Sequence, residues 1–453
     1  MNLWRTGLLI AVVSMLPTVS DCAAAPQPTS PDALKTQVER LLVQLDAPTR
    51  KERVTAERDL TSLGPKVLAL LPPPELLRRV AVREAVRRVR VSLERTKAIE
   101  SVRPSQITLK GDLTLAKILT DIGAQSGNQI DFNALPKEVQ ARKHRVDYNK
   151  RAFWPALDEL ISQAGLEYSD DADAGRVLLK AMQKGTAPAA AVTYSGPFRI
   201  AVADARLRSI PNRGLFRIVR VNYRVRAEPR LRPLFVKYRG HDFVAKSSAG
   251  RKLSPFSPDA QPEIPLGEGG RHLNLQSDFR VPADNIPTAL SFHGKLTLTA
   301  AAGAERIEFT RLEKADGTAR RRGGVTVTLQ KVEFEKAAPD GRTARFRVVI
   351  SYDIGGPAFE SHRTWVFHNR VYLQTSDGGR IEHDGDFDTN LQTDGAVVVE
   401  YGFRKLKFDP SEYRFVYVAP TLLVKLPIEF DFAKIPVSPS EDEVPTKSQR
   451  TKR

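Results

Sequence analysis

Cysteine is nearly missing from this sequence: Cys22 stands alone among 453 residues. That count excludes a disulfide framework, a four-thiolate zinc site and a CxxC redox pair. Apolar runs are short as well. No stretch reaches the about 18 residues that a membrane-crossing helix needs, so no internal span is expected. The familiar catalytic signatures are missing too, with no HExxH pair, no GxSxG elbow and no Walker A loop. Acidic residues are the scarcer charge: 53 Asp and Glu face 70 Lys and Arg, a formal net charge of +17. What is present suffices for folding. With 41% apolar and 27% charged residues the chain can build cores, which excludes wholesale disorder. Its length suggests about three or four domains.

The first residues read as an export signal. Arg5 precedes the apolar stretch Gly7 to Leu16, and the small residues Cys22, Ala23, Ala24 and Ala25 follow. A positive start, a short apolar run and a small-residue cleavage site form that pattern, and the run is too short to span. Cleavage is expected near Ala23 or Ala24, giving a signal peptide over 1–24. Cys22 sits where a lipoprotein signal needs its cysteine, with Val19 and Ser20 before it. Asp21 occupies the place that normally takes a small residue, so lipidation is the alternative.

The next segment, 31–103, is helical in pattern. Leu34, Val38, Leu41, Leu42 and Leu45 form one buried stripe. Thr49 and Glu52 form a capping box for a second helix carrying Val54, Ala56, Leu60 and Leu63, stopped by Gly64-Pro65. A third helix is expected from about Glu75 toward Lys97. The run Arg53 to Pro65 resembles a HEAT-like helical repeat, which implies helices that bury their faces on neighbours.

Segment 105–182 reads as strand–helix–strand twice. Leu115, Leu119, Ile122, Gln125 and Gly127 return as Phe153, Leu157, Leu160, Gln163 and Gly165. Strands are expected around Ile107, Ile130, Val146 and Leu166, with another from Val177 to Leu179. The stretch from Ile107-Thr108-Leu109 to Ile122, then from Val146-Asp147-Tyr148 to Leu166, is similar to the secretin and TonB short N-terminal (STN-like) domain. That resemblance implies a small α+β docking module of the bacterial envelope. No secretin ring region, plug or barrel follows, so a transport role is not implied.

Beyond an expected linker at 183–195 the periodicity changes to two. Phe198, Ile200 and Val202, then Phe216, Ile218, Val221, Tyr223 and Val225, read as half-buried strands with a bulge near Val219. A second joint is expected at 317–324. Val325, Val327, Leu329, Phe346, Val348, Ile350 and Tyr352 restart the pattern. Leu296 to Phe309 and Leu422 to Phe430 end alike, each on Ile-Glu-Phe, which suggests a duplicated β-domain over 196–316 and 325–437. Absence of helical segments favours antiparallel sandwiches. The polar tail 438–453 reads as disordered.

Candidate chemistry is sparse. The seven histidines are scattered, although His362 and His368 flank a strand around Trp365 and share a face. Asp384, Asp386 and Asp388 alternate like the opening of a calcium loop, but Thr389 and Gly395 occupy the positions that an EF-hand gives to Gly and Glu. A solvated acidic turn is the preferred reading and a calcium site the alternative; no other cofactor or metal is expected. Arg217, Arg220, Arg224 and Arg226 interleave with apolar residues, and several of them share the solvent face if Phe216, Ile218, Val221, Tyr223 and Val225 face the core. A sheet face kept soluble by charge is the preferred reading and an anion-binding patch the alternative. Arg suits carboxylate, sulfate and phosphate through its planar fork, so these four are the candidate anion-binding patch. Trp154, Trp365 and Tyr372 could suggest sugar stacking, but Trp154 and Trp365 read as core, and Asp158 and Glu159 as solvated helix charges.

The expected protein is therefore a multidomain α plus β chain: a helical repeat-like module, a small βαβ-βαβ domain and two antiparallel β-sandwiches. It is expected to be exported and non-enzymatic, to act as a scaffold or interaction module, and to find its partners among envelope proteins. The alternatives are binding of anionic polysaccharide or a membrane surface through the Arg face, and a hydrolase whose site is hidden in the sequence. Nucleic acid is not an expected partner.

Overall fold

The computed structural model describes residues 31–169, 176–182, 191–208, 216–266, 272–282, 285–335, 339, 341–353, 366, 369–385, 387–393 and 396–439, with 387–393 as backbone. The expected signal peptide, Cys22, His362, Trp365, His368, Asp386, the Asp388 side chain and the tail beyond residue 439 lie outside the described residues. An N-terminal helical region precedes several large β-sheets. Two compact units divide within the third helix, the first ending at Arg90 and the second beginning at Val91.

In the first unit, α1 (Pro31–Gln44) and α2 (Arg50–Ser62) bury Val38, Leu41, Ala56 and Leu60, and Leu45 is buried in the turn after α1. The capping box forms as the sequence requires. Thr49 Oγ1 accepts from the Glu52 amide at 3.2 Å, and the Glu52 carboxylate accepts from Thr49. Gly64 then adopts φ +79°, where a side chain would be strained, and the chain turns into a 3₁₀ segment. The third helix begins later than the pattern suggested: α3 spans Val80–Ser101, and residues 74–76 form a 3₁₀ turn behind the prolines. Arg88 grips Glu57 of α2 through two bonds of 2.8 and 2.7 Å.

The second unit opens on the α+β module. Its elements are β1 (Gln106–Thr114), α4 (Leu115–Ser126), β2 (Gln129–Asp131), α5 (Lys137–Ala141), β3 (Lys143–Ala152), α6 (Phe153–Ala164), β4 (Leu166–Tyr168) and β5 (Arg176–Ala181). The strand–helix–strand order occurs twice, with the short α5 as an unforeseen addition. β1 pairs antiparallel with β3, while β5 runs parallel to β2 and antiparallel to β4. Both long helices end on glycine in the left-handed conformation, Gly127 and Gly165, so the repeated letters mark repeated caps. Their stripes meet in one core around Ile118, Ile122, Phe153 and Leu157.

Among the described residues further strands follow: β6 (Ala191–Ser195), β7 (Phe198–Arg208), β8 (Phe216–Ala227), β9 (Arg232–Lys237), β10 (Phe243–Ser247), β11 (Lys252–Pro255), β12 (Glu263–Pro265), β13 (His272–Pro282), β14 (Ala289–Phe309), β15 (Thr318–Arg322), β16 (Val325–Phe334), β17 (Arg342–Tyr352), β18 (Arg370–Gln374), β19 (Arg380–Glu382), β20 (Phe387–Thr393), β21 (Ala396–Leu406) and β22 (Arg414–Ser438). β6, β7, β8 and β13 lie side by side, and so do β15, β16, β17 and β21. The opening hairpins match in register. Ser195 faces Phe198 and Ala191 faces Val202, while Arg322 faces Val325 and Thr318 faces Leu329. The expected joint at 317–324 is thus a paired strand and its turn, because the backbone of residues 318–322 is bonded to β16. The described part of the expected 183–195 linker is likewise a strand, β6.

Two features depart from the sequence reading. The bulge lies in β7, between Val202 and Asp204, and not in β8. Val219 belongs to the inward face with Val221, Tyr223 and Val225, so the alternation of β8 is unbroken and Ile218 lies on the other face. The two β-halves are also not closed separately. β14 and β22 form one antiparallel ladder from Ala289 facing Pro436 to Phe309 facing Phe415. Phe309 and Phe430 are both buried, with Glu308 and Glu429 between core residues, as the pattern required. Phe309, however, enters the second core beside Phe415, and Phe430 enters the first beside Phe292 and Tyr223. Each half's last strand finishes in the other half's core.

A cleft between the α+β module and the first β-sheet

Strand β8 presents Asn222, Arg224 and Arg226 on its outward face, since residues two apart share a side. The neighbouring β13 sets Asn274 beside Arg224 and Gln276 beside Asn222, and β7 sets Arg199 beside Arg226. The α+β module covers one end of this face and leaves a cleft of about 950 Å³. Its far wall comes from α6, β4 and the residues leaving β5, with Asp158, Glu167, Tyr168 and Met182.

Asp158 is the most heavily bonded carboxylate there. It accepts from the Tyr168 hydroxyl at 2.5 Å, from the Tyr194 hydroxyl at 2.6 Å, and from Arg199 Nε at 3.0 and 2.8 Å. The sequence reading took Asp158 for a solvated helix charge. The correction follows from the covering sheet: its side chain is 17% exposed and that of Arg199 11%. Burial pushes the Tyr168 and Tyr194 hydroxyls up, and the nearby Asp158 charge adds to the shift. Burial pulls the Arg199 guanidinium down, but Tyr168 and Asp158 outweigh it and the net direction is up. Two guanidinium groups approach the Tyr168 ring, Arg199 at 4.9 Å and Arg226 at 4.8 Å from its centre. Glu159, the other helix charge, pairs with Arg151 at 2.7 Å near the surface.

A second set of bonds fixes the module on the sheet. Glu228, 1% exposed, accepts from the Ser105 amide at 2.9 Å, the Ser105 hydroxyl, Asn128 Nδ2 at 3.1 Å and Arg230 Nε at 2.7 Å. Arg230 also donates to the Ser101 and Arg103 carbonyls, which hold the end of α3. Trp154 is core as expected, yet its indole donates to the Pro197 carbonyl at 3.1 Å and so belongs to the seam. A buried carboxylate whose lone pairs are all engaged holds such a seam far better than surface pairs do.

The four candidate arginines divide. Arg220 is bound by Asp278 through bonds of 2.8 and 2.7 Å, and this pairing raises its pKa. Arg224 donates to Asn274 Oδ1 at 2.7 Å inside the cleft, Arg226 lies over Tyr168, and Arg217 stands at the far end of β8. The structure therefore gathers two of them and adds Arg199, Asn274 and Gln276, which sequence reasoning missed. Cross-strand register was the signal, and it is not written in one strand. Asp384 is paired with Arg404 at 3.1 Å. No group of three or more His, Cys, Asp or Glu is arranged for a metal among the described residues. Tyr372, one of the aromatics that could suggest sugar stacking, is buried, with Arg306, Arg370 and Arg380 around its ring.

No family model matches the chain, and no curated protein matches it. Among solved structures, one titled pT26-6p aligns at 10% identity over 55% of this chain and 65% of its own length, with a TM-score of 0.14.

Proposed function

We propose that this chain is an exported, non-enzymatic envelope protein that acts as a scaffold or protein-interaction module. In this reading a HEAT-like helical pair precedes an STN-like docking module, and two copies of one antiparallel β-sandwich follow. The observation that carries it is the seam at Glu228. It holds a small recognition-type module rigidly on a β-frame, and the β14–β22 ladder ties the frame's two halves together. Rigid presentation of surfaces is what a scaffold needs, because a preorganised surface avoids the ordering cost of binding. The matched opening hairpins and the like endings support duplication. The test is affinity purification of the tagged full chain from mild-detergent extracts. A recurring set of envelope proteins in near-constant ratio is expected. Recovery of the chain alone, or from the cytoplasmic fraction, overturns the reading.

A second reading, binding of an anionic ligand, is favoured by one observation: Arg199, Arg224 and Arg226 converge on the cleft. Titration of the chain with polyanions at two salt concentrations tests it. Salt-sensitive binding lost in Arg224→Gln is expected, and binding indifferent to that change overturns it.

A further inference from the structure

We propose that the outward face of β14, β22, β18 and β19 around Tyr372 is a docking surface for an acidic, extended segment of a partner protein. This rests on the scaffold reading and names the partner's chemistry. Register sets the face. Ile307, Phe309, Val371, Leu373, Phe415 and Tyr417 fill the second core, so their neighbours in each strand point the other way. Three rows cross the strands there. Arg306, Val418 and Arg370 form the first, Glu308, Val416, Tyr372 and Glu382 the second, and Arg414, Gln374 and Arg380 the third. All four arginines are exposed.

The charges on this face do not cancel. Glu308 pairs with Arg306 at 2.7 Å and Arg414 at 3.8 Å, and Glu382 pairs with Arg370 at 3.3 Å. Arg380 has no carboxylate partner among the described residues. Its guanidinium lies over Tyr372 at 5.0 Å, with those of Arg370 at 5.7 Å and Arg306 at 5.9 Å. A positive charge remains even with Asp377 of the β18–β19 turn counted, and that carboxylate is engaged by Thr375 and the Gly379 amide. A guanidinium over a ring spends its flat face there and keeps its N–H fork for a carboxylate. The outer rows lie four residues apart along β22, about 13–14 Å at about 3.4 Å per residue. An extended partner with acidic side chains at i and i+4 spans the same distance. Other anionic partners find less here. None of the large exposed hydrophobic residues lies in these rows, so nothing would enter a bilayer. Tyr372 is buried beneath its arginines, so no open ring meets a sugar.

The experiment is fluorescence anisotropy of a labelled octapeptide of alternating Glu and Ser, titrated with the full chain. Its Gln–Ser counterpart, inorganic phosphate and vesicles of equimolar phosphatidylglycerol and phosphatidylcholine serve as competitors. Saturable binding of the acidic peptide is expected at about 0.02 M salt, falling steeply by about 0.5 M. Each competitor should act at least about tenfold more weakly than unlabelled acidic peptide. Arg380→Gln should weaken binding by about threefold, and Glu382→Gln, which releases Arg370, should tighten it by about as much. That gain cannot come from misfolding. Arg251→Gln, an equal charge change on an exposed residue before β11, should leave binding intact. Vesicles, phosphate or the Gln–Ser peptide competing as well as the acidic peptide would overturn the assignment of the partner. No binding, or binding unmoved by Arg380→Gln and Glu382→Gln, would overturn the site. Either failure leaves the scaffold reading to its own test, recovery of envelope proteins with the tagged chain.

Discussion

Replacing Asp158 by Ala removes the acceptor shared by Tyr168, Tyr194 and Arg199. The cost can be worked from the surroundings. Arg199 keeps only 11% of its side-chain exposure, so its charge would be left buried without its carboxylate. Breaking one partner of a buried pair costs about 3–5 kcal/mol. Tyr194 is exposed and can turn to water, so it adds little, while Tyr168 loses a bond worth about 1 kcal/mol. These terms overlap, and the expected total stays at about 3–5 kcal/mol. Asp158→Asn keeps an acceptor and loses the charge, for a cost of about 1.5–3 kcal/mol. The double change Asp158→Leu with Arg199→Met removes both charges and should return to within about 1–2 kcal/mol of the parent. A chain of several units has no single unfolding free energy, so the assay is amide hydrogen exchange read locally on α6 and β7. Asp158→Ala within about 1 kcal/mol of the parent would refute the buried-pair argument, as would a double variant no better than the single.

Other expectations follow from the same geometry. Burial, with Glu159 adding, raises the Tyr148 hydroxyl to about 12. An unfolded tyrosine ionises near 10, so the stability from this shift is complete below about pH 10 and is lost as pH rises through about 12. Phenolate absorbance should show that delayed titration, and Tyr148→Phe should soften the alkaline transition. Gly294 lies under Phe430: an added Cβ would sit 2.3 Å from Phe430 Cζ and 2.9 Å from Phe243 Cδ1. Gly294→Ala should cost about 1–3 kcal/mol and Phe430→Ala about 3–5, and the double variant less than their sum in denaturant titration. A protease site placed in the Gly323-Gly324 turn should yield two pieces that still run together in native gel filtration, because β14 and β22 remain paired across the cut. Pieces that part without denaturant would disprove that bond between the halves.

Periodicity was readable wherever a strand or helix buries one face. The capping box at Thr49, the stripes of α4 and α6, their glycine caps and the inward face of β17 all stand in the letters. What could not be read was partnership. Ile-Glu-Phe at two endings declares two half-buried strands, but nothing in either says that they pair with each other and enter opposite cores. Asp158 follows helical rules for an outward position, and only the sheet laid over it turns a solvated charge into the centre of a buried cluster. Glu228 carries no local pattern at all. Its partners Ser105 and Asn128 lie far away in sequence, so the seam that fixes the α+β module was invisible until the fold brought them together.

The most direct test of an exported interaction scaffold is crosslinking in intact cells with an amine reagent that cannot cross the cytoplasmic membrane. The chain's many lysines make it a ready target. The account predicts labelling before lysis and discrete crosslinked species containing other envelope proteins. A chain that reacts only after the cells are broken, or that is labelled in place without forming any such species, would contradict it.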